Sequence, residues 1–181
     1  MNGSVTVLQM SSEMFNDALF YRERALEANI SQFDRRRYLR TSLIFFCCSV
    51  ESWVNKVIVH QFKKKAYLTR EERDILIKLE DPDDPRGKII NIPKKLRRIF
   101  PKALGVDANN ALIERYLQLS KVRNSIIHFS PGNFEDAYNE NDLTTLVNEA
   151  PQIIEELMYS YYPQNINDRP NWFGDRTSRR V

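Results

Sequence analysis

Apolar residues recur at helical spacing over several long stretches of this chain, and no stretch shows the alternation that is typical of β-strands. From residue 43 to residue 62, apolar side chains cover most of the circumference of a helical wheel. This segment is therefore predicted to be the central and most buried helix. Ser31 and Asp34 resemble a capping box, so the helix is predicted to begin there and to end near Lys65.

The other predicted helices follow from the same spacing and from their capping residues. A short basic helix should end at Pro101, and Pro151 should kink or split the last helix. In chain order, one helix is predicted to begin at Ser11 or Ser12. The others are predicted to run from Thr69 to Glu80, from Pro93 to Phe100, from Asp107 or Asn109 to near Pro131, and from Asn141 to Tyr162.

The predicted fold is all-α, with four or five long helices and one short basic helical insertion within residues 1–162. Residues 163–181 lack periodicity, and we expect them to be a C-terminal tail that is disordered or docked on a partner. Trp172 and Phe173 are the expected aromatic anchor of that tail for a second copy or another protein.

The composition is ordinary for a globular protein, with 42% apolar and 28% charged residues in a chain of 181. No run approaches the roughly 20 apolar residues of a membrane span, and the first residues do not resemble a secretory signal. Cys47 and Cys48 are adjacent in an apolar run, so we expect buried, reduced thiols. These features together predict a cytoplasmic protein with no membrane partner.

An unusual set of polar residues lies on two predicted core helices. Arg123 and Asn124 fall inside the apolar arc of their helix, and His128 lies at its edge. Glu51 and Asn55 are one turn apart on the inner face of the central helix. Because burying such groups without partners costs several kcal/mol, we expect one shared polar cluster in which Arg123 neutralises Glu51.

Two interpretations of this cluster remain open from the residues alone. In the structural one, Glu51 and Arg123 form a buried pair that sets the register of the helices. In the functional one, the cluster opens on a cleft where Arg123 binds an anion and His128 transfers protons. Histidine favours the functional interpretation, because its unperturbed pKa of about 6.5 suits general acid–base chemistry.

The sequence Arg123-Asn124-x-x-x-His128 resembles the signature motif of the HEPN superfamily, which comprises small helical bundles that include ribonucleases. Glu51 and Asn55 resemble the polar residues that face this motif from the second helix of many members. The resemblance covers roughly residues 10–162. It implies a HEPN-like bundle with metal-independent endoribonuclease activity, which uses the ribose 2′-hydroxyl as the nucleophile.

The resemblance also implies a role for each residue of the motif. His128 would be the general base or acid, and Arg123 would stabilise charge on the phosphorane. Asn124 would position Arg123, His128 or the phosphate, and Glu51 would orient Arg123 or tune His128. Asn55 and Ser120 would be supporting residues. RNA-backbone contacts are expected from two basic clusters, Arg35, Arg36, Arg37 and Arg40 in one, and Lys94, Lys95, Arg97 and Arg98 in the other.

The same resemblance to the HEPN superfamily implies which partners the protein has. HEPN domains usually dimerise so that two motifs line one groove, and we expect RNA as substrate and a homodimer. A toxin or phage-defence effector is the expected class, with an antitoxin or other partner protein. HEPN toxins paired with a nucleotidyltransferase antitoxin carry Tyr two places after the histidine, where this chain has Ser130, so that scheme is not supported.

Other chemistries fit the sequence poorly. The chain has two histidines and no acidic cluster at ligand spacing, so we expect no metal site. It has no glycine-rich phosphate loop, so P-loop nucleotide hydrolysis is excluded, and no cofactor is expected. The alternative function is a non-catalytic HEPN-like module that binds RNA or protein and uses Glu51 and Arg123 as a structural pair.

Overall fold

The chain folds into helices joined by short connections in the computed structural model, which describes residues 7–128, 139–162 and 172–179. Within these ranges there is no β-strand, which confirms the predicted all-α class. In chain order the elements are α1 (Val7–Ala25), α2 (Gln32–Lys63), α3 (Arg70–Glu80), α4 (Ile92–Lys94), a π-helix (Lys95–Ile99), α5 (Phe100–Leu104), α6 (Asn110–Ile127) and α7 (Glu140–Tyr161).

The 32-residue helix α2 is the centre of the fold, as its apolar circumference predicted. Ser31 caps its start, since its side chain accepts a hydrogen bond from the backbone N–H of Asp34. Helices α1, α3, α5, α6 and α7 all contact α2. Buried α2 side chains fill the core on several sides of the helix, and they include Leu43, Phe46, Val50, Val54, Ile58 and Phe62.

Helix α1 packs along α2 in the opposite direction. Ser42 Oγ donates to the Ala18 carbonyl at 2.7 Å, and Ser11 Oγ donates to the Ser49 carbonyl at 2.9 Å. The predicted start of α1 at Ser11 or Ser12 is wrong, because the helix already includes Val7. Ser11 is fully buried and ties α1 to α2, so its hydroxyl serves a tertiary contact and not a cap.

A buried carboxylate holds α3 in place. Thr69 starts α3 as predicted and forms a capping box with Glu72, in which each side chain accepts from the backbone N–H of the other residue. Glu72 also binds Lys65 at 2.8 Å and Lys102 at 3.2 Å. The hydrogen bond from Lys65 is the main cause that lowers the pKa of Glu72 from 4.5 to about 2. The interaction therefore links α3 to the end of α2 and to α5.

The short basic segment is longer than predicted. Asn91 caps its start, since its side chain accepts from the Lys94 N–H at 3.0 Å. However, helical structure continues past Pro101, which lies in the first turn of α5, where a proline needs no N–H donor. The segment ends at Gly105, whose φ of 71° is the left-handed conformation that glycine adopts readily.

The observed bounds of α6 and α7 agree closely with the bounds predicted from the spacing of their apolar residues. Asn109 caps α6, and Asn139 caps α7. Pro151 does not split α7, which runs through it without interruption. The described part of α6 ends at Ile127, and the predicted break near Pro131 lies outside the described residues.

The described part of the C-terminal tail packs on its own chain. Trp172 is 1% exposed and stacks on Phe15 of α1 with ring centroids 4.5 Å apart. Its indole N–H donates to Ser11 Oγ at 3.1 Å. The expectation that Trp172 anchors a partner is therefore corrected, because a side chain buried against α1 is not available to another protein.

Helix α2 is long and apolar enough to cross a membrane by the criteria of length and composition. This finding differs from the expectation that no such run exists. Within the described residues, 56% of the apolar window of α2 is buried inside the fold. Since the core helix of a soluble protein meets the same criteria, the observation is weak evidence for a membrane span.

Candidate functional site

The motif residues lie at the C-terminal end of α6. Asn109 starts this helix by accepting from the Leu112 N–H at 3.2 Å. His128 closes it, since its backbone N–H donates to the Asn124 carbonyl at 2.8 Å. The imidazole of His128 is exposed at this helix end.

Arg123 forms the ion pair with Glu51 that the sequence predicted. Its Nη2 contacts Glu51 Oε1 across the interface of α6 and α2. The side chain of Arg123 is 15% exposed and that of Glu51 is 30% exposed. The Nε of Arg123 is buried and has no hydrogen-bond partner among the described residues. The pair is therefore mostly sequestered from water, as the structural interpretation expected.

The two cysteines lie beside this pair and are protonated at neutral pH. Burial raises the pKa of Cys47 to about 12, although the nearby Arg123 guanidinium acts in the opposite direction. Burial also raises the pKa of Cys48. Because the thiolate is the reactive form, these residues are packing thiols and not nucleophiles.

Asn55 contacts a cation other than Arg123. Lys95 Nζ, at the start of the π-helix, donates to Asn55 Oδ1 at 2.7 Å. Burial lowers the pKa of Lys95, which has no carboxylate partner among the described residues. Lys95 was expected to belong to a solvent-facing basic cluster, but its ammonium group is turned toward α2.

An open cleft of about 380 Å³ lies between α4 and α6. Its apolar floor consists of Ile92 and Pro93 from the basic segment and Leu117 from α6. Its polar rim comes entirely from α6 and consists of Ser120, Lys121, Asn124, Ser125 and His128. Three of the predicted site residues, Ser120, Asn124 and His128, therefore meet in one place.

Arg123 and Glu51 are not among the residues that line this cleft. The reason is helical geometry, since five residues at about 100° each place Arg123 and His128 about 140° apart around α6. The expectation of a single shared polar cluster is therefore corrected. The described contacts fall into three sets, which are the Arg123–Glu51 pair, the Lys95–Asn55 contact and the cleft around His128.

Most polar groups on the cleft rim have no partner within the described part of the chain. Ser120 is 3% exposed, yet its hydroxyl makes no hydrogen bond there. The side chains of Lys121, Asn124 and His128 are exposed and also make none. Ser125 differs, because its hydroxyl donates to the Lys121 carbonyl at 3.2 Å. Unpaired donors and acceptors around an apolar floor are typical of a ligand site.

The predicted RNA-binding clusters are, by contrast, largely neutralised by carboxylates. Glu140 of α7 pairs with two arginines of the first cluster, and Glu71 of α3 pairs with two cations of the second. The pairs are Arg35 and Arg36 with Glu140, Arg37 with Asp34, Lys94 and Arg98 with Glu71, and Arg97 with Glu114. Arg40 is half-buried on α2. RNA binding by either cluster stays a prediction.

Sequence reasoning missed five residues of the cleft, which are Ile92, Pro93, Leu117, Lys121 and Ser125. Leu117 and Lys121 were detectable, because they lie seven and three residues before Asn124 on the same face of α6. Ile92 and Pro93 carried no signal, since only the packing of α4 against α6 brings them to the site. No group of three potential metal ligands occurs among the described residues, and Ser130, which bears on the type of antitoxin, lies outside them.

The fold and the site define an all-α protein with an open, histidine-containing cleft at one helix end. No protein-family model, no curated protein and no solved structure matches the chain.

Proposed function

We propose that this protein is a metal-independent endoribonuclease of the HEPN type, with His128 as its general acid–base. The observation that carries the proposal is the position of His128, exposed on an open cleft beside Asn124, Ser120 and Lys121. A general base must be within reach of the proton that it removes, and an imidazole on an open cleft meets that requirement.

The proposed reaction is an intramolecular transesterification of RNA. His128 takes the proton of a ribose 2′-hydroxyl while the 2′-oxygen forms a bond to the adjacent phosphorus. The bond from phosphorus to the 5′-oxygen breaks, that oxygen receives a proton from water, and the proton taken up by His128 is released to water. The products are a 2′,3′-cyclic phosphate and a 5′-hydroxyl, and the step requires no metal or oxidant.

The roles that we propose for the cationic residues Arg123 and Lys121 differ from those that the resemblance of the motif implied. Arg123 is held by Glu51 on the neighbouring face of α6, so in this arrangement it stabilises the helix end that carries His128. Lys121 lies on the cleft rim without a carboxylate partner in the described ranges, and in the proposal it contributes the charge for the phosphate. Asn124 would hold the phosphate or the imidazole by hydrogen bonds.

A homodimer belongs to the same proposal. It rests on the resemblance of the motif to HEPN domains, since one exposed aliphatic side chain such as Ile127, 47% exposed, is ordinary on a protein surface. The roles of toxin or phage-defence effector, the control by a partner protein and the cytoplasmic location, all implied by the motif, are proposed on the same basis.

The test incubates the full chain with mixed RNA in EDTA and analyses the RNA ends. His128→Ala should lower the cleavage rate by about 10²–10⁴-fold, which is the usual contribution of a general acid–base. His60→Ala is the matched control, because His60 is the other histidine of the chain and is exposed on α2. Intact RNA with the unmodified protein, or a His128→Ala variant that cleaves RNA as fast as the unmodified protein and His60→Ala do, would contradict the proposal.

The half-buried Arg123–Glu51 pair favours a second candidate, a non-catalytic helical module that binds RNA or protein. In that case the pair sets the register of α2 and α6, and His128 contributes only to binding. Binding of RNA by the unmodified protein in EDTA, with no cleavage over long incubation, would support this candidate and exclude the ribonuclease.

A further inference from the structure

The cleft beside His128 combines an apolar surface with a polar one. Its floor is apolar and consists of Ile92, Pro93 and Leu117. Its rim carries an amide, a hydroxyl, an ammonium group and an imidazole, and none of its lining residues is acidic. A ligand that fits such a site has an apolar face, a polar edge and a negative charge.

We propose that this cleft is a nucleobase subsite that binds the base next to the phosphate of the bound RNA. The inference rests on the proposed function, since it assumes that RNA enters the cleft of His128. A nucleobase has apolar faces that pack on apolar side chains and an edge that forms hydrogen bonds. A cleft of about 380 Å³ lies at the lower end of the range for small-ligand pockets, which suits one nucleotide.

Ser120 provides the strongest evidence that the cleft binds a polar edge. The residue is 3% exposed and lines the cleft, and its hydroxyl makes no hydrogen bond within the described ranges. A hydroxyl that reaches the cleft without a protein partner can donate to or accept from the edge of a ligand that binds there.

Asn124 is the residue that would distinguish one base from another. An amide side chain offers one acceptor and two donors, which can pair with the edge of a base. Asn124 makes no hydrogen bond through its side chain within the described ranges, so its amide is available. Lys121 and His128 lie on the same rim, where they would contact the phosphate attached to the base.

The first test measures binding by the full chain, labelled with ¹⁵N, in the presence of EDTA. The probes are the 3′-monophosphates of adenosine, cytidine, guanosine and uridine, with ribose 5-phosphate as a probe that lacks a base. At least one nucleotide should bind roughly tenfold more tightly than ribose 5-phosphate and should shift the amide signals of the cleft. Equal binding of all probes, binding elsewhere, or no binding would overturn the subsite.

Two variants separate the contributions of the rim and the floor. Asn124→Ala should weaken the preferred nucleotide by roughly tenfold, within the range for a good amide–base pair, and should reduce the preference between bases. Leu117→Ala should weaken all four nucleotides alike. Asn110→Ala is the matched control, because Asn110 is exposed at the other end of α6. Equal effects of Asn124→Ala and Asn110→Ala would overturn the role of Asn124.

A second probe distinguishes RNA from a free nucleotide. A short RNA with 2′-O-methyl groups cannot undergo the proposed cleavage, because its 2′-oxygen has no proton to lose. Tighter binding of this RNA than of the mononucleotide would assign the subsite to RNA. Equal or weaker binding would overturn that assignment.

The two proposals fail in different ways. Binding of nucleotides to the cleft without RNA cleavage would contradict the ribonuclease and support the subsite. RNA cleavage that depends on His128, together with equal binding of ribose 5-phosphate and nucleotides, would support the ribonuclease and overturn the subsite.

Discussion

The ion pair between Arg123 and Glu51 gives a quantitative test of which interpretation of the motif is correct. Removing one partner of a buried pair costs about 3–5 kcal/mol, whereas surface pairs contribute about 0–1 kcal/mol. The side chains are 15% and 30% exposed, so this pair lies between the two cases but nearer to the buried one. We expect Arg123→Met to lower the free energy of unfolding by about 2–3 kcal/mol.

The measurement is urea unfolding followed by far-UV circular dichroism, with Arg123→Met, Glu51→Gln and the double variant in one cycle. The double variant should be more stable than the sum of the single effects predicts, because it leaves no orphaned charge. At about 2–4 °C per kcal/mol for a chain of this size, Arg123→Met should lower the Tm by about 4–12 °C.

A matched control is the pair of Arg115 and Glu156, which also links α6 to another helix but is more exposed. Arg115→Met should cost less than about 1 kcal/mol. If Arg123→Met costs no more than Arg115→Met, the assignment of the Glu51 pair as a sequestered interaction is refuted. If Arg123→Met folds with the stability of the unmodified protein but no longer cleaves RNA, Arg123 acts in the site and not in the core.

Two further predictions concern the tail and the capping box. Trp172→Ala should destabilise the protein by at most about 3–5 kcal/mol, the usual loss for a buried tryptophan, and should expose the tail to limited proteolysis. Trp172→Phe should cost less, because it keeps an aromatic ring against Phe15 and loses the hydrogen bond to Ser11 and part of the buried ring. Unchanged proteolysis of Trp172→Ala would contradict the docking. Because the pKa of Glu72 is lowered from 4.5 to about 2 in the folded chain, its contribution to stability is present above about pH 4.5 and is lost as the pH falls toward 2. The difference in urea midpoint between the unmodified protein and Glu72→Gln should therefore shrink over that range, and a constant difference would refute the assignment.

Local interactions explain why much of the fold could be predicted from the sequence. Helical spacing identified α2 as the core helix, and the caps at Ser31, Thr69, Asn91 and Asn109 act within a few residues along the chain. The predictions failed where a local signal was overridden. Ser11 is a favourable cap residue, but its hydroxyl is used in a contact with α2.

The candidate site was only partly predictable for a related reason. A buried carboxylate needs a cation, so Glu51 could be matched with Arg123 from their positions on two apolar faces. The same reasoning placed Arg123 and His128 in one polar cluster, because it treated the inner faces of two helices as one surface. The rotation of about 140° between them decides that the imidazole faces the cleft and the guanidinium faces α2.

The sequence by itself therefore determined the helical class, the central helix, most of the capped helix ends and the Glu51–Arg123 pair, because periodicity, capping and charge neutralisation are encoded in residue type and short spacing. Only the tertiary structure decided where the cleft lies, since Ile92 and Leu117 are 25 residues apart in the chain. It also decided that Lys95 turns inward and that Trp172 covers Phe15. These contacts depend on how helices pack across long separations, which no local pattern specifies.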